Sequence, residues 1–290
     1  RENTQIIMAS RRQLNLTLFA LLFWVNFVQC EKFSQELENL SFDGRMPLDD
    51  TASWYVSGSA LALKDYVRLT PAVADRTGAL INKDPLKTEK WEVRIHMKVA
   101  GELGKGGHGM AFWYTHDTPK VATGPNSILG NTTKYTGFGL FLDTTIPDNR
   151  DHAKNKIILV HSAGNTEVTQ ETLKRSAYQC SSMYMNVSDY VLSIKYNDGV
   201  VIVMIEDLEG TRTETCTRLR TKLKPSGYIG FTAQTSDTPS THDILSVKVY
   251  NFDPEKYAEA TPRESGAARE PAGKDVIRQE HAKDISDMSS

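Results

Sequence analysis

The sequence has few cysteines, almost no net charge and no metal-binding Cys/His spacing. Of its 290 residues three are cysteine, and 34 Lys and Arg nearly balance 36 Asp and Glu, for a formal net charge of −2. A nucleic-acid-binding domain usually carries a basic patch, so no nucleic-acid partner is expected. Without a CxxC pair, a zinc site is not expected either. The hydrophobic fraction of 39% is ordinary for a globular chain with a real core.

Long apolar runs are also scarce. The one obvious run covers residues 14–30 and follows Met8, Arg11 and Arg12. A basic start, an apolar centre and a polar exit are typical of a secretory signal peptide, and about 15 apolar residues are short for a membrane span of about 20. We therefore interpret residues 1–30 as upstream residues plus a signal peptide, cleaved near Cys30 or Glu31.

If the chain enters the secretory pathway, the two cysteines that remain after cleavage are expected to form a disulfide. With Cys30 removed, Cys180 and Cys216 are left in an oxidising compartment, where an even number of cysteines favours a disulfide. Two unrelated buried thiols are the alternative.

A sustained 3.6-residue apolar period is absent before residue 253. Residues 91–99 instead alternate, with Trp91, Val93, Ile95, Met97 and Val99 on one face and His96 on the opposite, solvent face. Short β-rich segments joined by turn residues predict an all-β sandwich over residues 31–253. The candidate strands are 54–63, 66–71, 91–99, 110–114, 138–142, 157–160, 166–170, 190–196, 200–205, 228–232 and 244–252. Trp91 and Trp113 are expected in the core, whereas Trp54 is left open.

The composition changes after Pro254. Residues 254–290 are rich in Glu, Lys, Ala, Asp and Ser, with few large apolar residues beyond Tyr257, Val276 and Ile277. Such a segment cannot bury enough apolar surface to fold alone, so we expect a polar, largely disordered stalk or linker.

Residues 106–145 hold the densest functional signals. Two apolar runs, 110–114 and 138–142, are flanked by glycine. The second is followed by Asp143, a candidate ligand for a metal or a bound molecule. The long segment 116–135 between them is rich in turn residues, and such surface excursions often carry function. His108 precedes the first run, where an acid would be more useful.

Several of these segments together resemble the L-type (leguminous-type) lectin domain of early-secretory-pathway cargo receptors. The resemblance spans roughly residues 42–252 and rests on residues 65–83, on WEVRIHMKV, GHGMAFWYT and TGFGLFLDT, and on HDILSVKVYNF from His242. It implies a two-sheet antiparallel jelly-roll-like sandwich, the L-type lectin fold. It also implies a type I membrane protein that cycles between endoplasmic reticulum and Golgi, with an anchor not present in this sequence. The expected partners are high-mannose glycans or glycoprotein cargo, bound with help from calcium, and other subunits of a homo- or hetero-oligomer.

The resemblance assigns a carbohydrate site in which several residue types are changed. His108 stands where the family has an acid, and Gln170 where it has histidine. The metal ligands would be Asp143, Asn149 and Glu171, the last in place of an acid that has become Leu173. The full carbohydrate-binding set is Ser59, His108, Asp148, Asn149, Gln170, Ser236, Asp237 and Thr238.

These changes leave two functional hypotheses open. Calcium needs six to eight oxygens, several from carboxylates, and an imidazole offers at most one acceptor where a carboxylate offers several. The first hypothesis is a glycan-binding cargo receptor of ER–Golgi transport. The second is a lectin-like domain that has lost calcium-dependent sugar binding and acts through protein association or hetero-oligomerisation.

An enzyme on the same architecture is not expected. Glycoside hydrolases need two carboxylates facing the sugar-binding cleft, but the tight acid cluster of Glu206, Asp207 and Glu209 leads into Gly210 and reads as a solvated turn. Sequons at Asn39, Asn131 and Asn186 predict N-glycosylation in a secretory compartment.

Overall fold

Two antiparallel β-sheets pack face to face in the computed structural model, which describes residues 34–46, 53–101, 108–147, 154–187 and 190–251. One sheet has nine strands and the other seven, and a two-stranded hairpin lies beside them. The all-β sandwich expected from the sequence is therefore confirmed. The predicted signal segment and the polar C-terminal stalk lie outside the described residues.

The larger sheet has the order β16-β15-β14-β7-β18-β5-β4, with β1 and β2 added to β18, and the smaller has the order β13-β12-β11-β8-β17-β6-β3. The described strands are β1 Gln35–Glu36, β2 Phe42–Asp43, β3 Trp54–Gly58, β4 Leu61–Ala62, β5 Val67–Thr70, β6 Thr77–Asn82, β7 Trp91–Ala100, β8 Gly109–Thr115, β9 Ser127–Ile128, β10 Asn131–Thr132, β11 Thr136–Pro147, β12 Asn155–Ala163, β13 Gln179–Ser182, β14 Tyr190–Asn197, β15 Val200–Glu206, β16 Thr213–Arg220, β17 Tyr228–Gln234 and β18 Thr241–Asn251. A 3-10 turn at Glu38–Leu40 and one helix, α1 Gln170–Arg175, complete the described elements.

The alternating pattern of β7 has the predicted effect on one face. Its apolar residues are at most 1% exposed and lie in the core between the sheets. The opposite face is less open than expected, since His96 is half-buried. On that face Glu92 is 8% exposed, accepts a hydrogen bond from the Ser193 hydroxyl at 2.7 Å and pairs with Lys195 at 3.2 Å.

Aromatic rings fill the centre of the space between the sheets. The Trp91 ring stacks on the rings of Tyr114 and Phe138, with centroids 5.1 and 6.3 Å apart. Trp54, which the sequence left open, is 3% exposed and packs edge-on against Phe42 at 5.7 Å. A ring buried in this way serves the core and is not available to stack on a ligand.

A second apolar cluster lies on the outer face of the seven-stranded sheet. There Trp113, Phe141 and Ile158 are completely buried, and they are covered by residues from outside the sheet. The covering side chains are Ile128, Leu129, Tyr135, Val168 and Leu173. Segment 116–135 is therefore not a free surface excursion, because its apolar residues hold it against the sheet.

The sandwich is closed differently at its two edges. At one edge the predicted disulfide between Cys180 and Cys216 is present and joins β13 of the smaller sheet to β16 of the larger. At the other edge the chain passes from β3 to β4 through a tight turn beside Gly78. A Cβ on Gly78 would lie 1.9 Å from the Leu69 carbonyl oxygen, so only glycine allows this close approach.

Several local predictions need correction. Residues 166–170 are not a strand; they form a loop that ends in α1, because Thr169 caps the helix by accepting from the Thr172 N–H. The β-rich segment 54–63 is divided into β3 and β4, on different sheets. Strand β16 was not predicted, because most of its residues are polar and only Thr217 and Leu219 are buried.

Candidate functional site

The C-terminal ends of β3, β17 and β11 and the N-terminal ends of β6, β8 and β12 meet at one end of the seven-stranded sheet. Antiparallel pairing produces this arrangement: Gly109 at the start of β8 pairs with Gln234 at the end of β17 and with Asp143 on β11, and Gln234 in turn pairs with Thr77. Predicted site residues from distant parts of the sequence are thereby placed along one edge.

A pocket of about 260 Å³ opens at this end of the sheet. Two of the predicted carbohydrate-binding residues, His108 and Gln170, line it together. The other lining residues come from segment 124–133, the cap of α1 and the end of β17: Gly124, Pro125, Ser127, Ile128, Leu129, Thr133, Thr169 and Gln234. None of these lining residues is Asp, Glu, Lys or Arg, so the pocket presents hydroxyls, amides and one imidazole around an apolar floor.

His108 is fixed by its backbone. Its φ is +69°, in a left-handed region where Asn, Asp and His are more common than other non-glycine residues. Its carbonyl oxygen accepts from the Thr144 N–H at 2.8 Å and from the Thr144 hydroxyl at 2.9 Å. The Nδ1 atom is buried, with no hydrogen-bond partner among the residues that the structure describes. A histidine can therefore occupy this position without distorting it, and so could an aspartate.

His108 forms the first rim of the pocket, and the segment 124–133 forms the second. The Ser127 N–H and hydroxyl both bond to the Gly124 carbonyl, at 3.2 and 2.7 Å. Ile128 and Leu129 are at most 3% exposed and pack in the outer cluster. The Asn131 amide oxygen accepts two backbone N–H groups, from Lys120 at 3.2 Å and Thr132 at 2.8 Å, so this rim is held from within.

Helix α1 forms the third rim. Leu173 is completely buried in the outer cluster, and the Val168 N–H donates to the Thr133 carbonyl at 2.8 Å. These two attachments present the exposed Gln170 side chain at the pocket. Glu171 lines a different depression and pairs with Arg175 at 2.7 Å.

Other predicted residues share this end of the sheet without lining the pocket. Ser59 follows β3, three strands away from β8, which is roughly 14 Å at the usual strand spacing. Ser236, Asp237 and Thr238 follow β17 beyond Gln234. Gln234 was not predicted from the sequence, because its place in the pocket depends on the pairing of β17 with β8.

The sequence suggested that Asp143 lies at the end of a strand, but it lies within β11. Strand β11 continues to Pro147, and Asp143 is fully buried. Burial of the Tyr184 phenol raises its pKa well above the usual range, and the charge of Asp143 raises it further. The two side chains therefore lie close together inside the fold.

The described residues cover only part of the expected calcium site. Within ranges 34–46, 53–101, 108–147, 154–187 and 190–251, no three His, Cys, Asp or Glu side chains are grouped so that they could hold a metal ion. Asn149, the remaining expected metal ligand, and Asp148, expected to bind carbohydrate, lie outside these ranges. Asp143 and Glu171 are therefore not part of a group of three or more such side chains among the described residues.

Two of the acids considered for catalysis, Glu206 and Asp207, have structural partners. Glu206 pairs with Arg94 at 2.8 Å. Asp207 holds its turn by accepting from the Thr211 hydroxyl and N–H, at 2.6 and 2.7 Å, and these bonds lower the pKa of its carboxyl.

A model of the "Legume-like lectin family" matches residues 35–258. The chain belongs to this family.

Known relatives agree with that assignment. The mouse "VIP36-like protein" is 29% identical over 208 residues, covering 69% of this chain and 58% of the relative. Rat "Protein ERGIC-53" is 26% identical over 219 residues, covering 72% of this chain and 40% of the relative. The crystal structure of the VIP36 exoplasmic/lumenal domain in its Ca²⁺/Man-bound form matches at a TM-score of 0.66 and 25% identity, covering 75% of this chain and 91% of that one. The chain spans well under two thirds of the length of both sequence relatives.

No helix long and apolar enough to span a membrane occurs in the part of the chain that the structure describes.

Proposed function

We propose that this chain is a glycan-binding, lectin-like cargo receptor of glycoprotein transport between endoplasmic reticulum and Golgi. Family membership supports it, as does the VIP36 relative solved with mannose and calcium. The apolar run at residues 14–30 supports entry into the secretory pathway. Membrane attachment is part of the proposal, since VIP36 is described as a vesicular integral-membrane protein.

The pocket at His108 is the observation that carries the proposal. Sugars are neutral polyols, and they are recognised by hydrogen bonds to hydroxyls together with apolar contact to the ring. A pocket with Gln170, Gln234 and Ser127 beside the exposed Pro125 ring offers both.

We further propose that sugar binding here depends less on calcium than in the VIP36 domain. The donors that line the pocket are amides, hydroxyls and an imidazole, whereas calcium prefers carboxylate oxygens. Asp143 is the described residue best suited to contribute to a cation site, and Asn149 and Asp148 would have to supply the rest.

A glycan array with the full secreted chain, with calcium and with chelator, tests this function. We expect binding to mannosylated glycans that persists in chelator. Gln170→Ala and Gln234→Ala should each weaken it about two- to tenfold, because each removes a hydrogen bond of about 0.5–1.5 kcal/mol. Gln179→Ala, a half-buried glutamine on edge strand β13, is the matched control and should bind as the parent chain does.

His108→Asp is the informative gain-of-function change. It restores a carboxylate at a backbone position that tolerates aspartate, and we expect tighter mannose binding. An array that stays blank for the parent chain and for His108→Asp, in both conditions, would reject the glycan-binding function.

The second candidate function is protein association without sugar binding. The observation that favours it is an exposed apolar set at the edge where both sheets end: Leu61 is 57%, Leu63 38% and Tyr55 36% exposed, and β3 and β4 are the outermost strands there. Sedimentation of the chain alone and mixed with a sugar-competent relative tests it, and a single monomeric species in both would reject it.

A further inference from the structure

A second cavity, of about 250 Å³, lies at the opposite end of β8 from the His108 pocket. Its walls come from the end of β8, the start of β11, the end of β12 and the connection between β16 and β17. Seven residues of β8 separate the two sites, which is roughly 20 Å along an extended strand. A small ligand cannot contact both.

The second cavity is lined by bases and by no acid. His116, His161, Lys222 and Lys224 contribute to its walls, with the hydroxyl residues Thr136 and Ser162 between them. In the stretches of chain that the structure describes, none of the four bases forms a salt bridge with an Asp or Glu. Acids line neighbouring depressions: Glu89 and Asp198 line the one that also contacts both lysines, and Asp117, next to His116 in the chain, lines another. Asp198 is paired with Lys90 at 3.3 Å, and Glu171 is paired with Arg175 at 2.7 Å.

The lysine-bearing wall is rigid. Leu223, between the two lysines, is 7% exposed and belongs to the inner core, and its N–H donates to the Tyr196 hydroxyl at 3.0 Å. The Tyr114 hydroxyl donates to the Lys224 carbonyl at 2.8 Å and accepts from the Gly227 N–H at 3.2 Å. The lysine backbone is thus fixed from both sides.

Tyr114 adds a neutral polar group and not a charge. Burial raises the pKa of its phenol to about 12, so the hydroxyl stays protonated. Gly227 is required beside it, because a Cβ there would lie 2.3 Å from the tyrosine ring. The cavity is therefore pre-formed, and its positive charge comes from the two lysines, because burial lowers the pKa of the His161 imidazole. Clustered bases of this kind attract anions, and ammonium groups bind phosphate or sulfate oxygens through charge-assisted hydrogen bonds.

We propose that this cavity binds a phosphate or sulfate group, either as a free ion or as an ester carried on a sugar. The site is separate from the uncharged pocket and does not depend on the function proposed for it. Lys222 and Lys224 supply the fixed positive charge, and His116 and His161 close the opposite wall.

Isothermal titration of the full secreted chain tests the proposal, with inorganic phosphate, inorganic sulfate, mannose 6-phosphate and mannose as probes at constant ionic strength in chloride. We expect saturable binding of the oxyanion probes, weakened about tenfold or more by Lys222→Ala combined with Lys224→Ala. The matched control combines Lys98→Ala with Lys174→Ala, two exposed lysines elsewhere that change the net charge equally. It should bind as the parent chain does.

The outcomes separate cleanly. Binding of inorganic ions alone would identify a free oxyanion as the ligand, and tighter binding of mannose 6-phosphate than of phosphate would identify a sugar ester. Equal weakening by the control pair would show that only overall charge matters and would overturn the site. Absence of oxyanion binding would overturn it as well. The single change His116→Gln, at a half-buried side chain, gives a second test should the double lysine variant unfold.

Discussion

Protonation of one buried histidine should set how the stability of this domain depends on pH. His242 lies inside β18, fully buried, with Nδ1 2.7 Å from the Thr70 hydroxyl. Its Nε2 is without a hydrogen-bond partner among the described residues. Burial lowers the pKa of this imidazole from 6.5 to about 3.

The sign and size of the effect follow from proton linkage. Between about pH 6.5 and 3 the unfolded chain binds a proton at His242 that the folded chain does not, so acid favours unfolding. The contribution of His242 to the free energy of unfolding is therefore fully present above pH 6.5. It decreases by up to about 1.4 kcal/mol per pH unit as the pH falls below that value. Between pH 7 and pH 5 the loss amounts to roughly 2 kcal/mol.

Urea unfolding followed by tryptophan fluorescence at pH 7, 6 and 5 measures this loss. The free energy of unfolding of the parent chain should decrease as the pH is lowered from 7 to 5. In His242→Asn this decrease should be smaller by roughly 2 kcal/mol, because the buried imidazole is absent. Thr70→Val is the matched control, because it removes the hydrogen-bond partner but leaves the histidine buried. It should be less stable at every pH and keep the parental slope. Equal slopes in His242→Asn and the parent chain would refute the reasoning.

Three further predictions concern the fold and its modification. Replacing both Cys180 and Cys216 by serine should lower the free energy of unfolding by roughly 4 kcal/mol on the chain-entropy model, since the bond closes a separation of 36 residues; an unchanged urea midpoint would contradict this. Gly78→Ala should destabilise by about 1–3 kcal/mol or more, because the new Cβ meets backbone on both sides; a parental melting temperature would contradict it. Digestion with a glycosidase should shift the secreted chain through the exposed Asn39 and should detect no glycan at Asn131, which is 2% exposed; a glycan mapped to Asn131 would contradict the burial argument.

The site shows how far residue-by-residue reasoning reaches. His108 and Gln170 were both singled out from the sequence, and both line one pocket. Glu171, adjacent to Gln170, points to another depression because successive residues of a helix start lie on different sides. Gln234 entered the pocket only through its pairing with Gly109 on a strand more than a hundred residues earlier, and no local pattern records such a register.

The sequence by itself determined the sandwich class, the buried face of β7, the disulfide and the family, because period-2 alternation, secretory context and motif identity are local or compositional properties. Tertiary structure alone decided the order of the strands, and therefore which chain segments meet. It placed apolar residues of segment 116–135 and of α1 on the outer sheet face, where they hold the rims of the pocket. It also buried Asp143 and His242 and brought four bases into one cavity. Each of these depends on contacts between residues far apart in the chain, whose free energy is gained only when the two sheets and the outer cluster are assembled.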